Sequence, residues 1–250
     1  MRILLVNDDG IYSEGIHILA KMLEEDHEII IVAPEEQKSA QSQAITISKA
    51  LIVKEVELEG IKSKAYSVSG TPADCVRIAL DKLTELPVDV VISGINMGLN
   101  AGMDILYSGT VSAAIEANIY NLPAIALSAE WIDGNIDYNL AAEYGKYILE
   151  KSKKDLINNN IILSINTPYL DGKKPKGVKV CKIGGVVYDY YLMEDNGNKG
   201  EKVLKLQGRK DIEFEEDTDR FYLSQGYVTI TPLHYDLTNF NLLKKVESWI

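Results

Sequence analysis

The apolar run Ile3-Leu4-Leu5-Val6 leads directly into Asn7-Asp8-Asp9-Gly10, and this junction limits the fold more than any other stretch. Consecutive apolar residues without polar alternation make a strand buried on both faces, the pattern of a parallel sheet covered by helices. The Asn-Asp-Asp-Gly segment then falls at the strand's carboxyl end, the edge where open α/β sheets bind ligands. Two adjacent carboxylates repel each other unless water or a cation lies between them, and a hard divalent cation resolves the repulsion. The same residues also make a good turn in their own right, because Asn and Asp bond their own backbone and Gly accepts positive φ.

Buried strands and amphipathic helices alternate through the next part of the chain. Ser13 precedes a helix with Ile16, Leu19, Ala20 and Leu23 on one face. Glu28 to Pro34 reads as a second buried strand, opening a polar loop from Glu35 to Gln43 that carries Lys38 and Ser39. Residues 44–69 alternate only partially and read as a small antiparallel insertion with one wet face. Gly70-Thr71-Pro72 opens a helix with Val76, Ala79, Leu80 and Leu83 inward. Val88 to Ser93 is the next core strand, leaving through a loop of glycines and asparagines from Gly94 to Gly102. An Ala-rich helix over Val111–Tyr120, strands over Pro123–Ser128 and Ile161–Asn166, and a helix over Tyr138–Lys153 complete the pattern. Together these predict an α/β fold, doubly wound on a mainly parallel sheet, over residues 1–168.

Residues 169–250 read as a C-terminal extension. Val186–Met193 and Val203–Gln207, separated by Glu194–Gly200, form a hairpin; Tyr227–Leu233 is a late strand; Phe240–Ile250 is an amphipathic terminal helix. A projecting hairpin and an apolar terminal helix suit contacts between subunits. The helix equally suits packing on its own subunit.

With 26 basic and 37 acidic residues the net charge is −11, which argues against holding a nucleic acid polymer on a broad basic face. A small anionic substrate then needs local help from a metal, a helix N-terminus or a few lysines. The apolar run after Met1-Arg2 is too short for a signal peptide, and no run reaches membrane-spanning length, so the expectation is a cytoplasmic protein without membrane contact. Cys75 and Cys181 lack CxxC spacing and read as reduced thiols. His17, His27 and His234 lack ligand spacing, which disfavours zinc. His17 and His27 read as helix-surface residues, and His234, after the late strand, is an outside candidate for a proton carrier.

Parallel neighbouring strands bring separate loops to one edge of the sheet. That edge collects Asp8 and Asp9, Ser39, Asn96 and Ser108-Gly109-Thr110. Carboxylates with hydroxyl and amide oxygens make a hard site with room for water, which fits Mg²⁺ or Mn²⁺. Ser108-Gly109-Thr110 opens a helix with free N–H groups and hydroxyls, suited to a phosphate, although it lacks the P-loop lysine and such residues cap ordinary helices too.

Several motifs occur in order along the chain: Val6-Asn7-Asp8-Asp9-Gly10, Ala33-Pro34 with Lys38-Ser39, Gly70-Thr71-Pro72-Ala73-Asp74, Ser93-Gly94-Ile95-Asn96-Met97-Gly98-Leu99-Asn100, Tyr107-Ser108-Gly109-Thr110-Val111-Ser112 and Gly226 to Leu233. In this order they resemble the SurE family of metal-dependent 5′-nucleotidases. The resemblance implies a Rossmann-like core and a C-terminal extension used in a homodimer or homotetramer. It also implies a cytoplasmic phosphomonoesterase acting on nucleoside 5′-monophosphates, with 3′-nucleotides and short polyphosphate as further substrates. It carries the family's metal ligands onto Asp8, Asp9, Ser39 and Asn96, the positions the sheet edge already collects; with one divalent ion per subunit held there, Asp8 and Asp9 read as the catalytic carboxylates. Asn96, Asn100, Ser108, Gly109 and Thr110 are then the phosphate or substrate contacts. The chain departs from the family at Lys38, where arginine is usual, at Ser164 in place of asparagine, and at Ala117 in place of glycine. The alternative is a non-catalytic nucleotide-binding or regulatory module. A receiver-like module would need an aspartate where the middle strand ends Ile92-Ser93-Gly94, and a haloacid-dehalogenase-type phosphatase would need its two aspartates one residue apart.

Overall fold

The computed structural model describes residues 1–187, 190–194, 200–207 and 213–250. Its first strand, β1 (Arg2–Val6), sends Ile3 and Leu5 into one apolar core and Leu4 and Val6 into another. This two-sided burial is why the run carries no polar alternation. Helix α1 (Glu14–Leu23) returns the chain to β2 (Glu28–Pro34), parallel to β1, and β2 divides its residues between the same two cores.

The chain continues through β3 (Val53–Val56), β4 (Lys64–Val68), α2 (Pro72–Ile78), β5 (Val90–Met97), α3 (Gly109–Ile119), β6 (Ala124–Ala129), α4 (Tyr138–Asn158) and β7 (Ile162–Thr167). It ends through β8 (Val178–Val180), β9 (Tyr190–Glu194), β10 (Val203–Gln207), α5 (Asp219–Ser224), β11 (Val228–Leu233) and a short α6 (Leu243–Glu247). A nine-stranded sheet runs in the order β3-β4-β2-β1-β5-β6-β7-β11-β8. Helices α1 and α4 pack on one face and α2 and α3 on the other, so the fold is three-layered α/β. Thr71 starts α2 with a capping box: its hydroxyl accepts from the Asp74 N–H and the Asp74 carboxylate accepts from the Thr71 N–H.

From β4 to β7 the strands in the middle of the sheet are all parallel. The chain winds outward from β1 to β2 and β4, then crosses back to β5 on the other side of β1. The switch point between β1 and β5 leaves a crevice outside their carboxyl ends.

Several segments depart from the sequence-based expectation. The segment 44–69 contributes one antiparallel pair, β3 on β4, but β4 itself pairs parallel with β2 and widens the main sheet. The late strand β11 likewise joins the main sheet, antiparallel to β7, and β8 pairs parallel with β11. The sheet therefore runs on past residue 168. Strand β5 extends to Met97, through a register shift between Ser93 and Asn96. A Cβ on Gly94 would lie 2.3 Å from the Leu127 carbonyl oxygen, so only glycine passes there.

The hairpin pairs β9 with β10 in a sheet of its own. Residues 195–199 of its expected tip, and 188–189 of its expected first strand, lie outside the described residues. The terminal helix is shorter than expected, a 3₁₀ turn over Phe240–Leu242 followed by α6, and residues 234–250 are all exposed. His27 is not a helix-surface residue: it follows α1 in a turn and is buried. Both cysteines are free, and among the described residues no helix is long and apolar enough to cross a membrane.

Candidate active site

Asn7 folds the loop after β1. Its amide nitrogen donates to the Gly10 carbonyl at 2.8 Å and to Ser13 Oγ at 2.7 Å, and its amide oxygen accepts from the Gly10 N–H at 3.2 Å. Ser13 thus serves Asn7 rather than capping α1 with its side chain. The closed loop leaves Asp8 buried and Asp9 half-buried at the switch point.

Asp9 spans the crevice. Its Oδ2 accepts from the Met97 N–H of β5 at 2.9 Å and its Oδ1 from Gln37 at 3.2 Å. The bulge in β5 brings Asn96 to the same crevice, consistent with the way bulges re-aim side chains beside functional sites. Asn96 donates its amide nitrogen to the Gly98 carbonyl at 2.8 Å, leaving its amide oxygen for a cation. The 35–43 loop is tied in from both ends, by the Lys38 N–H on the Asp8 carbonyl at 2.7 Å and by the Ser42 N–H on the Tyr107 carbonyl at 3.0 Å. Ser39 lies between these ties.

Asp8, Ser39, Asn96, Asn100 and Ser108 line one cavity of 510 Å³. Asn100 is locked in place: its N–H donates to Asn166 Oδ1 at 2.9 Å, its amide nitrogen to Ser128 Oγ at 2.9 Å, and its carbonyl accepts from Asn166 at 3.0 Å. Gly109 and Thr110, expected as phosphate contacts, are turned toward Asp8. The Thr110 hydroxyl donates to Asp8 Oδ1 and the start of α3 packs against the same carboxylate. Ser108 caps α3 by accepting from the Val111 N–H at 3.1 Å.

Burial pushes the Asp8 carboxyl up to about 6; the Thr110 hydrogen bond opposes the rise and the neighbouring Asp9 charge adds to it. Burial raises Asp9 as well, against the Met97 and Gln37 hydrogen bonds. Among the described residues no Lys, Arg or His forms an ion pair with either carboxylate, and the side chain of Lys38 is taken by Glu36 at 2.5 Å. Nor do three or more His, Cys, Asp or Glu gather at one point among those residues. Two adjacent carboxylates with neutral oxygens from Ser39 and Asn96 fit a hard divalent cation that keeps part of its water.

His234 does not belong to this site. Strand β11 runs antiparallel to β7, pairing Leu233 with Ile162 at the amino end of the parallel strands. His234 therefore leaves the sheet at the edge opposite Asp8. Asn7, Gln37, Ser128 and Asn166 were not singled out as site residues from sequence. Asn7 carried a signal, an amide directly before Asp-Asp-Gly, whereas the others come from separate strands and loops.

The family model described as "Survival protein SurE" matches residues 3–189. The chain belongs to the SurE family. It is 51% identical over 249 residues to "5'-nucleotidase SurE" of Clostridium tetani (strain Massachusetts / E88), covering 100% of both chains. It is 50% identical over 248 residues to the protein of the same name from Clostridium botulinum (strain ATCC 19397 / Type A), covering 99% of this chain and 98% of the relative. The crystal structure of SurE from Aquifex aeolicus is similar to it with a TM-score of 0.85 at 34% identity, covering 100% of this chain and 99% of that one. The family and fold expected from the ordered motifs are thus borne out.

Proposed function

We propose that this SurE-family protein is a 5′-nucleotidase, a divalent-metal-dependent phosphomonoesterase that converts nucleoside 5′-monophosphates to nucleoside and phosphate. Its full-length relatives bear that name. The observation that carries the reading in this chain is the meeting of Asp8, Asp9 and Asn96 at the β1–β5 switch point, without a basic partner for either carboxylate among the described residues.

Asp8, Asp9, Ser39 and Asn96 would hold one Mg²⁺ or Mn²⁺ per subunit. When bound, a divalent cation supplies Lewis acidity to the phosphoryl group and to the attacking water. Thr110 and Met97 orient the two carboxylates through hydrogen bonds to Asp8 and Asp9, and such supports set ligand geometry. Ser108, Asn96 and Asn100 line the cavity where the phosphate sits, and the amino end of α3, from Gly109 and Thr110, favours negative charge there. Lys38 is paired with Glu36 and lacks the two-pronged contact an arginine would offer a phosphate. The same phosphate end would take 3′-nucleotides and short polyphosphate, since the ester or anhydride alike is held by its terminal phosphoryl oxygens.

The deciding experiment measures phosphate release from nucleoside 5′- and 3′-monophosphates and short polyphosphate with Mg²⁺, Mn²⁺ or EDTA, in the wild type and a folded Asp9→Asn variant. Release that requires metal and collapses in the variant supports the reading. Nucleotide binding without release under any metal would replace it with a binding module.

A further inference from the structure

The cavity that holds Asp8 and Ser108 has a second wall, supplied by the hairpin. Tyr191 of β9 and Leu206 of β10 line it, together with Tyr107, Leu99 and Met97. Tyr191 and Leu206 are directly opposed in the β9–β10 register, and opposed residues of an antiparallel pair share a face. The next pair on that face is Met193 and Leu204, so this side of the hairpin is continuously apolar. Tyr191 nevertheless remains 58% exposed and Leu206 47% exposed. Two large apolar side chains left open over a polar site suit a ligand with an apolar face.

We propose that Tyr191 and Leu206 form the wall that receives the nucleobase, taking it by stacking and apolar contact rather than by reading its hydrogen-bonding edge. The proposal rests on the nucleotidase reading and names the base end of the same site. At 510 Å³ the cavity falls within the roughly 300–1,000 Å³ of small-molecule sites. Several of its polar side chains are engaged away from the hairpin wall. Asp8, Ser39, Asn96 and Ser108 define the phosphate end, and the Asn100 amide nitrogen is spent on Ser128. Asp104 holds Arg220 at 2.8 Å with one oxygen and has the other buried away from solvent. A stacking platform is indifferent to base identity, because every base has a π-face.

The test compares AMP, GMP, CMP and UMP with ribose 5-phosphate, which keeps the sugar phosphate and lacks the base. Tyr191→Ala is expected to raise KM for all four nucleotides by about ten-fold, the scale of one lost base–aromatic stack. It should leave kcat, and all kinetics on ribose 5-phosphate, unchanged. Tyr191→Phe should behave as wild type, and Leu206→Ala should shift KM in the same direction by less. An equal rise for ribose 5-phosphate, or unchanged KM for the nucleotides, would overturn the proposal. Equilibrium dialysis with adenosine gives a readout independent of catalysis: weaker binding by Tyr191→Ala supports the wall and equal binding refutes it. Absence of metal-dependent release from every substrate by the wild type would instead sink the nucleotidase reading.

Discussion

The Thr110 hydroxyl donates a hydrogen bond of 2.5 Å to Asp8 Oδ1. A helix start with free N–H groups and hydroxyls reads from sequence as a place for phosphate, yet here its first acceptor is a carboxylate of the protein itself. Loss of the donor would leave a buried carboxylate less fixed and less stabilised in its ionised form. With Asp8 as a ligand of the proposed metal site, Thr110→Val should therefore lower Mn²⁺ affinity and kcat/KM by about 10- to 100-fold, the usual effect of removing a group that orients a metal ligand. Thr110→Ser should restore most of both. Calorimetric Mn²⁺ titration beside the phosphate-release assay would check this, and unchanged metal affinity in Thr110→Val would refute it.

Gly109 is held to glycine by the same carboxylate. A Cβ there would lie 2.8 Å from Asp8 Cβ and 2.9 Å from Asp8 Oδ2. Gly109→Ala must push Asp8 aside or shift the start of α3, and displacement of about 1 Å at a reacting centre costs about 10²-fold. The expected outcome is a folded protein with unchanged far-UV circular dichroism and phosphate release reduced by about two orders of magnitude. Activity within a few-fold of wild type would show that the contact yields without moving Asp8.

The legibility of this chain follows how each segment is buried. Strands β1, β2 and β5 are apolar on both sides because each divides its residues between two cores, and such runs can be read directly. The three residues of β8, Val178-Lys179-Val180, are mostly exposed and owe their strand to pairing with β11, so no local pattern marked them. That Asp8, Asp9, Ser39 and Asn96 share one edge could be read because each sits at the carboxyl end of a parallel strand or in the loop leaving it. The roles of Thr110 and Asn166 were not, since both depend on which partner the crossovers deliver. The sequence left His234 only an outside candidate for the same reason: its side of the sheet is fixed by the direction of β11, which a short apolar run does not encode.

His27 gives a pH prediction away from the active site. Its Nε2 lies 3.0 Å from Glu150 Oε1, and among the described residues neither ring nitrogen has a hydrogen-bond partner. Burial lowers its pKa below the ordinary 6.5, and the positive chain terminus adds to this; Glu150 opposes them, Lys153 works with them, and Asp26 opposes them again. In the window between the lowered native value and 6.5 the unfolded chain binds more protons than the native one. Stability is therefore fully present above the unfolded value and declines as pH falls through that window. Melting temperature should drop as pH falls below about 6.5, and less steeply in His27→Leu. Parallel profiles for the two proteins would remove His27 from the account.

The terminal segment bears on assembly. Phe240, Leu242, Leu243, Val246, Trp249 and Ile250 are all exposed, Trp249 at 69%, and none joins either core. Packing on its own subunit, one of two readings open from sequence, is thus not what this segment does. A row of large apolar side chains left in water is costly for a lone subunit and suits a self-complementary contact in a homodimer or homotetramer. Removal of residues 240–250 should lower the mass measured by light scattering toward that of one chain, or from tetramer to dimer, while metal-dependent phosphate release persists because Asp8, Asp9, Ser39 and Asn96 all come from residues 8–96. An unchanged mass after truncation would place the subunit contact on another surface.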